Sequence, residues 1–199
     1  GSKLVAPHMV AQGSGRIIGV AGGTMCSPCT PPAPATIERI EGELGWVLTQ
    51  GYGLTETSPF ITICEERPEH AQLSAQERAA IKARQGVELI TSGELIVADD
   101  NGNEVPHDGQ TMGEIIVRGN AVMKGYFNDP EATAKAIRDG WFHTGDAAVV
   151  HPDGYAEIRD RIKDVIISGG ENISSVEVEG VLLRHPAVQE VAIVGVPHE

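Results

Sequence analysis

The sequence has few cysteines, few basic residues and no long apolar run, and each scarcity excludes a class of protein. Three cysteines in 199 residues are too few for a disulfide scaffold. Lys and Arg number 15 against 28 Asp and Glu, giving a net charge of −13, whereas a nucleic-acid surface requires clustered cations. No run of about 18 apolar residues is present to span a bilayer, and the start lacks a signal-peptide layout. We therefore predict a cytoplasmic protein that binds no nucleic acid and has no membrane span.

Cys26 and Cys29 have the spacing of a redox pair, but this spacing alone is weak evidence. A zinc site needs four ligands, and only the distant Cys64 and scattered histidines are available to complete one. Two loop cysteines are the favoured interpretation, and a thiol-redox protein is the alternative.

Local patterns predict alternating helices and strands in the first half of the chain. Residues 1–15 have no periodicity and are predicted to be a disordered or tag-like start. A capping box, Ser74-x-x-Glu77, opens one of the helices. The predicted elements are a strand at 16–20, a helix at 37–44 ended by Gly45, a short strand at 46–48 that leads into Gly51-Tyr52-Gly53, and the helix after Ser74.

From Leu95 onward, short β-type runs between Asp-Asn-Gly and Pro-Asp-Gly turns predict a small antiparallel sheet or barrel. One short helix interrupts them, with Asp129 as its cap and Gly140 just beyond its end. The predicted strands are 95–97, 115–117, 149–150 and 191–196, and Ser174-x-x-Glu177 opens a last helix.

Four motifs, in order along residues 50 to 173, carry a family resemblance. They are Gln50-Gly51-Tyr52-Gly53-Leu54-Thr55-Glu56-Thr57, Gly113-Glu114-Ile115 with Gly125-Tyr126, Trp141-Phe142-His143-Thr144-Gly145-Asp146, and the run from Asp160 to Ile173. Together they resemble the adenylate-forming superfamily, which includes acyl-CoA synthetases, peptide-synthetase adenylation domains and luciferases. The run from Gly113 to Pro186 is most similar to ligases that act on short- or medium-chain fatty and related acids.

The resemblance implies a mixed α/β fold class. Residues 16–162 would be the end of a large AMP-binding domain, with a parallel-sheet remnant and a small antiparallel, barrel-like sheet. Residues 163–199 would begin a small α+β C-terminal domain. A helix and strand cannot close a core alone, so we expect the chain to be truncated.

The chemistry of acyl-adenylate formation explains the residue types of the first motif. A carboxylate attacks the α-phosphate of ATP, so the site must hold Mg²⁺ and offset negative charge. Glu56 is the predicted Mg²⁺ ligand, and the neighbouring Thr55 can donate to a phosphoryl oxygen. Gly51 and Gly53 let the backbone approach the ligand, and Tyr52 offers a flat face for adenine.

The later motifs imply a ribose site and a hinge. Asp146 would accept hydrogen bonds from both ribose hydroxyls, and Arg161 resembles the arginine that also reaches the ribose. Lys163 falls where the family places its hinge, and Gly169 and Gly170 on the loop that reaches the CoA channel. The implied ligands are ATP, Mg²⁺, CoA and a small carboxylic acid, and homo-oligomerisation is left open.

Simpler interpretations stand beside these roles. Gly-Tyr-Gly can be only a tight turn, and the charges at 159–164 only a solvated face. His143 is predicted to be structural or substrate-adjacent. The family's phosphate loop has no match here, and its catalytic lysine would lie beyond Glu199, so we predict negligible ligase activity from this chain alone. The alternatives are an adenylate-binding or structural fragment, or an enzyme that transfers to a carrier protein.

Overall fold

The computed structural model describes most of the chain, in two compact units. The described residues are 16–23, 34–163, 165–168, 171–173, 175–182, 185, 187–189 and 191–196. The predictions for residues 1–15, Cys26, Cys29, Gly169 and Gly170 lie outside the described residues. The first unit comprises Gly1–Glu94, Arg118–Lys124 and Gly154–Ala156, and the second comprises Leu95–Val117, Gly125–Asp153 and Glu157–Glu199. A domain boundary at Lys163 stays a prediction.

The first unit contains a four-stranded sheet in the order β1-β2-β3-β4. Its elements are β1 (Arg16–Gly23), α1 (Pro34–Leu44), β2 (Val47–Leu54), β3 (Thr62–Cys64), α2 (Ala75–Lys82) and β4 (Val87–Glu88), with 3₁₀ turns at Thr55–Thr57 and Pro68–Gln72. β1 and β2 pair in parallel, whereas β3 is antiparallel to β2 and to β4. The predicted short strand at 46–48 is wrong in extent: β2 runs through the Gly-Tyr-Gly motif because both of its edges are paired.

The end of the first helix and the start of the second lie where local chemistry predicts, although the first helix begins at Pro34 and not at Ile37. Gly45 follows α1 with φ +65°, a conformation that favours glycine. Ser74 caps α2: its Oγ accepts the Glu77 N–H at 3.2 Å, and its own N–H donates to Glu77 Oε2 at 2.8 Å. The hydrogen bonds from Ser74 lower the pKa of Glu77. A small core of Ile37, Leu48 and Ala79 lies between these helices and β2.

The second unit is built on a five-stranded sheet in which β5, β6, β8 and β7 are neighbours in that order and β9 pairs with β8. Its elements are β5 (Glu94–Ala98), β6 (Gly113–Arg118), α3 (Pro130–Ala136), β7 (Ile137–Arg138), β8 (Trp141–Val150), β9 (Ala156–Arg161), β10 (Ile166–Ser168), β11 (Glu171–Ile173) and α4 (Ser175–Leu182). β8 is antiparallel to both β6 and β7. Together with the parallel β1–β2 pair, this sheet confirms the mixed α/β class.

We predicted that Gly140 lies just beyond the end of the helix capped by Asp129, and this prediction is wrong. Asp129 does cap α3, because its Oδ1 accepts the Ala132 N–H at 2.8 Å. The helix ends at Ala136, however, and the chain continues into β7. Asp139 and Gly140, at φ +50° and +80°, form the two-residue loop of a β7–β8 hairpin. Asp-Gly is a strong signal for such a loop, and here it prevails over the helix-end interpretation.

The predicted strand at 191–196 is also wrong. These residues are described and have no strand pairing. The Ile193 N–H donates to Glu179 Oε1 at 2.9 Å. A side chain therefore accepts the backbone N–H that would otherwise bond to a neighbouring strand. Among the described helices, none has the length and apolar character needed to cross a membrane.

Candidate functional site

A β-bulge in β8 contains residues 144–146, the last three residues of the third motif. β6 and β8 are paired on both sides of residues 144–146, through Ile116 with His143 and Glu114 with Ala147. Between these two pairs, the single residue Ile115 of β6 lies opposite three residues of β8. At the centre, Gly145 has φ +74°, which a residue without Cβ adopts at low cost. This segment is therefore a bulge inside a long strand. Bulges of this kind re-aim side chains and recur beside active sites.

Several backbone groups of the bulge have hydrogen-bond partners nearby. Thr144 Oγ1 donates to the Ile115 carbonyl at 2.8 Å and accepts the Asp146 N–H at 3.1 Å. The Gly145 carbonyl accepts the Ile162 N–H at 2.9 Å. These bonds replace the ladder bonds that the extra residues disrupt, so the bulge is a defined conformation of β8.

Asp146 and Arg161, both predicted to bind nucleotide, are brought together by β8 and β9. Arg161 Nε lies 2.9 Å from Asp146 Oδ1, and Arg161 Nη1 donates to the Thr144 carbonyl at 3.0 Å. The Asp146 side chain is 6% exposed and that of Arg161 is 27% exposed. The guanidinium therefore holds the carboxylate and the bulge backbone at once, in a partly desolvated setting where charge-assisted bonds are strong.

Glu114 lies beside the bulge, on β6. Its Oε1 accepts the Gly145 N–H at 2.9 Å, and its Oε2 lies 2.6 Å from His143 Nδ1. Arg138 Nη2 is 3.6 Å from the same Oε2. His143, predicted to be structural or substrate-adjacent, thus has a carboxylate partner. We predicted no role for Glu114 from the sequence. Its carboxylate directly precedes the buried run Ile115–Val117, and a charged residue at that point of a strand is a signal that could have indicated one.

The first motif lies at the end of β2 in the first unit. Gly51, Tyr52 and Gly53 belong to the strand, and Thr55 and Glu56 to the 3₁₀ turn that follows. Tyr52 is 1% exposed, so adenine can stack on its ring only if the contacts that bury the ring change. Thr55 is exposed and Glu56 is half-buried.

The turn that presents Thr55 and Glu56 is fixed by Thr57. The Thr57 hydroxyl accepts the Leu54 N–H at 2.9 Å and lies 3.0 Å from the Leu54 carbonyl. The Glu56 carbonyl accepts the Met123 N–H at 2.7 Å. The backbone of the turn is therefore held at both ends, which leaves two oxygen-bearing side chains on a fixed support.

Lys163 is exposed and lies in a turn closed by the Val165 N–H and the Arg161 carbonyl, 3.0 Å apart. Its role as a hinge stays a prediction. The structure thus groups Asp146 with Arg161 in the second unit, whereas residues 51–56 belong to the first.

Comparison with known families decides where this chain belongs. The family model described as "AMP-binding enzyme" matches residues 19–127, more than half of the chain. The chain is a member of the AMP-binding enzyme family. The match includes residues 51–56 and Glu114, whereas the bulge at 144–146 and Arg161 lie beyond its end.

Several curated AMP-binding enzymes are similar to this chain in sequence. "Probable acyl-activating enzyme 6" of Arabidopsis thaliana is 52% identical over 169 residues, 84% of this chain and 31% of that protein. "2-methylpropanoate--CoA ligase CCL4" of Humulus lupulus is 52% identical over 171 residues, 85% of this chain and 31% of that protein. "4-hydroxybutyrate--CoA ligase 2" of Metallosphaera sedula is 52% identical over 168 residues, 84% of this chain and 30% of that protein. The chain therefore spans less than a third of the length of these relatives.

Solved structures share the fold. The amide bond synthetase McbA from Marinactinospora thermotolerans matches with a TM-score of 0.77 and 27% identity, over 100% of this chain and 42% of that one. The o-succinylbenzoate CoA synthetase MenE from Bacillus subtilis, in complex with the acyl-adenylate OSB-AMP, matches with a TM-score of 0.75 and 29% identity over the same shares.

Proposed function

We propose that this chain is the ribose-binding and hinge portion of an ATP-dependent carboxylic acid:CoA ligase, which forms an acyl-adenylate and then an acyl-CoA thioester. The observation that carries the proposal is the Asp146–Arg161 pair on a satisfied bulge, 2.9 Å between Oδ1 and Nε. Family membership and the names of relatives that are CoA ligases support it.

In this proposal Asp146 accepts hydrogen bonds from the 2′- and 3′-hydroxyls of the nucleotide ribose. A carboxylate has about four acceptor positions, so Asp146 can contact Arg161 and also accept hydrogen bonds from ribose hydroxyls. Arg161 holds the carboxylate in one orientation, which lowers the entropy lost when the ribose binds. The Gly145–Ile162 backbone bond keeps the strand that bears Arg161 next to the bulge.

Thr55 and Glu56 are proposed to serve the phosphates. In the described part of the chain, no three His, Cys, Asp or Glu side chains gather as a protein metal cage. Mg²⁺ in nucleotide sites usually takes one or two carboxylates and completes its shell with phosphates and water, and the Thr55–Glu56 oxygens fit that pattern. When bound, Mg²⁺ would offset the phosphate charge, while Thr55 donates to a phosphoryl oxygen. Tyr52 would stack on adenine once the contacts that bury its ring change. Gly51 and Gly53 are proposed to complete this nucleotide-binding segment.

The later residues are proposed to serve the second half-reaction. Lys163 would be the hinge about which the following residues rotate, and the loop with Gly169 and Gly170 would approach CoA. Short- or medium-chain acids are the proposed substrates in fatty acid metabolism, and the proposed location is cytoplasmic. One similar protein, "Probable acyl-activating enzyme 5, peroxisomal" of Arabidopsis thaliana, bears a peroxisomal name.

The acceptor has a second candidate. The neighbour of TM-score 0.77 is named an amide bond synthetase, which favours an amine as a second possible acceptor for the same acyl-adenylate. Transfer to a carrier protein is a third candidate, and an inactive adenylate-binding fragment is a fourth. All four of these require the ribose contact, whereas a purely structural fragment would not.

Isothermal titration of the chain with an acyl-sulfamoyl adenosine tests the proposal. We expect saturable binding that weakens about ten-fold or more in Asp146→Ala, because hydrogen bonds to a charged group contribute about 1.5–3 kcal/mol. Asp100→Ala, an exposed aspartate of the same unit, is the matched control and should bind as the wild type does. Equal weakening in both variants, or no binding by the wild-type chain, would reject the ribose role of Asp146.

A further inference from the structure

Glu114 lies on β6 at the point where this strand pairs with the bulge of β8. The register shift between the two strands falls next to it, and its side chain is 19% exposed. Its two oxygens have different partners, because Oε1 accepts the Gly145 N–H at 2.9 Å whereas Oε2 lies 2.6 Å from His143 Nδ1. The Glu114 carboxylate therefore links Gly145, in the middle of the bulge, to His143, which directly precedes the bulge.

The bulge creates the need for such a partner. With φ at +74°, Gly145 directs its N–H to a side-chain oxygen of β6. A half-buried N–H without an acceptor is costly, so the left-handed conformation persists only where an acceptor is supplied. Asp146 follows immediately, and the direction of its side chain is set by this conformation.

We propose that Glu114 is a positioning residue for the ribose site: by accepting the Gly145 N–H, it holds the bulge in the conformation that aims Asp146 at Arg161. This inference rests on the proposed function, in which Asp146 binds the ribose. Glu114 does not touch the nucleotide in this scheme. His143 orients the carboxylate through the second oxygen, so that the first stays directed at the bulge.

A second glutamate–histidine pair in the same unit provides a matched control. Glu157 Oε2 lies 2.6 Å from His151 Nε2 and 3.3 Å from Arg159 Nη2. Its geometry resembles that of Glu114 with His143 and Arg138. None of the hydrogen bonds that the described residues form at the bulge involves Glu157. A general effect of losing a paired glutamate should therefore be equal at the two positions, whereas a positioning effect should appear at Glu114 alone.

Hydrogen exchange without ligand tests the positioning directly. In Glu114→Ala, the Gly145 amide should exchange roughly ten-fold faster or more than in the wild type, because its acceptor is lost. Glu114→Gln should restore most of the protection, since its amide oxygen can still accept. Glu157→Ala should leave Gly145 protected. Unchanged exchange at Gly145 in Glu114→Ala overturns the proposal, whatever the chain binds.

The ribose contact is tested by comparing AMP with 2′,3′-dideoxy-AMP. We expect Glu114→Ala to weaken AMP binding by roughly ten-fold while dideoxy-AMP binding changes little, so that discrimination between the two falls. Equal weakening of both ligands would mean a merely structural role and would overturn the proposal. If Glu114→Ala does not fold, Glu114→Asp, which keeps the charge but shortens the reach to Gly145, should show the same selective loss.

Failure of the ribose role of Asp146 and failure of the positioning role of Glu114 give different results. If the wild-type chain does not discriminate between AMP and dideoxy-AMP, then the proposed ribose role of Asp146 fails. If the wild type discriminates and Glu114→Ala discriminates equally well, only the role of Glu114 fails.

Discussion

Gly53 lies where β2 meets the turn at Pro59 and Phe60. A Cβ built on it would lie 1.6 Å from the Pro59 carbonyl oxygen and 2.8 Å from the Phe60 Cα. A Cβ on Gly51 would lie 3.3 Å from two ring carbons of Phe60. From the sequence, we explained these glycines by the approach of a ligand. The structure provides another reason for them, because the chain's own turn occupies the space that a side chain would need.

Gly53→Ala is therefore expected to destabilise the chain by about 3 kcal/mol or more, because the clash is with backbone atoms. Gly42→Ala is the matched control: no atom lies within 4 Å of its Cβ position, and it lies within α1. There alanine should stabilise by roughly 0.5–1 kcal/mol, because it favours the helix more than glycine does. Urea unfolding of the two variants measures both values, and equal effects would contradict this explanation of Gly53.

At the scale of the element, the predicted helix caps are confirmed, whereas the features that depend on a distant strand were missed or wrong. Ser74 and Asp129 cap their helices through contacts three residues away, and a pattern can contain that information. The bulge at 144–146 depends on the register of β6, whose Ile115 lies 29 residues before Thr144, and the failed strand at 191–196 depended on a partner strand. Sequence periodicity reports which face a residue takes, but not which strand lies beside it.

Asp160 is a second contact of this non-local kind. Its carboxylate is buried, and its Oδ2 accepts both the N–H and the hydroxyl of Ser175 at 2.8 Å. These bonds attach the start of α4 to β9. In the chain, β9 precedes Lys163 and α4 follows it. A rotation about Lys163 of the kind that the family resemblance implies would break these bonds.

Asp160→Ala should release α4 while the β-sheet remains folded. The loss of a helix cap costs about 1 kcal/mol, and a charged acceptor adds to this, so the helix should open locally well before global unfolding. Hydrogen exchange of residues 175–182 measures the effect, and we expect faster exchange there with unchanged exchange in β8. Protection of α4 equal to the wild type, or loss of protection throughout the unit, would contradict this expectation.

At the scale of the whole molecule, the sequence predicted the family and the mixed α/β class because four motifs follow one another in the family's order. It assigned Asp146 and Arg161 separately to the ribose, a role that remains a proposal, but it did not predict their contact of 2.9 Å. It did not predict the bulge or the contacts of Glu114. Both arise because β8 has two more residues than β6 between the same two pairing points. This difference is visible only once the two strands are paired, and no motif contains it. The roles of Thr55, Glu56 and Lys163 remain proposals.

The central claim is that the bulge of β8, held with Arg161, binds the ribose of an adenine nucleotide. Amide NMR spectra of the chain titrated with AMP and, separately, with 2′,3′-dideoxy-AMP test it most directly. We predict saturable shifts of the Gly145 and Asp146 amide signals with AMP and much smaller shifts with the dideoxy compound, because the ribose hydroxyls make the contact. Signals that do not move with AMP, or that move equally with both compounds, would contradict the claim.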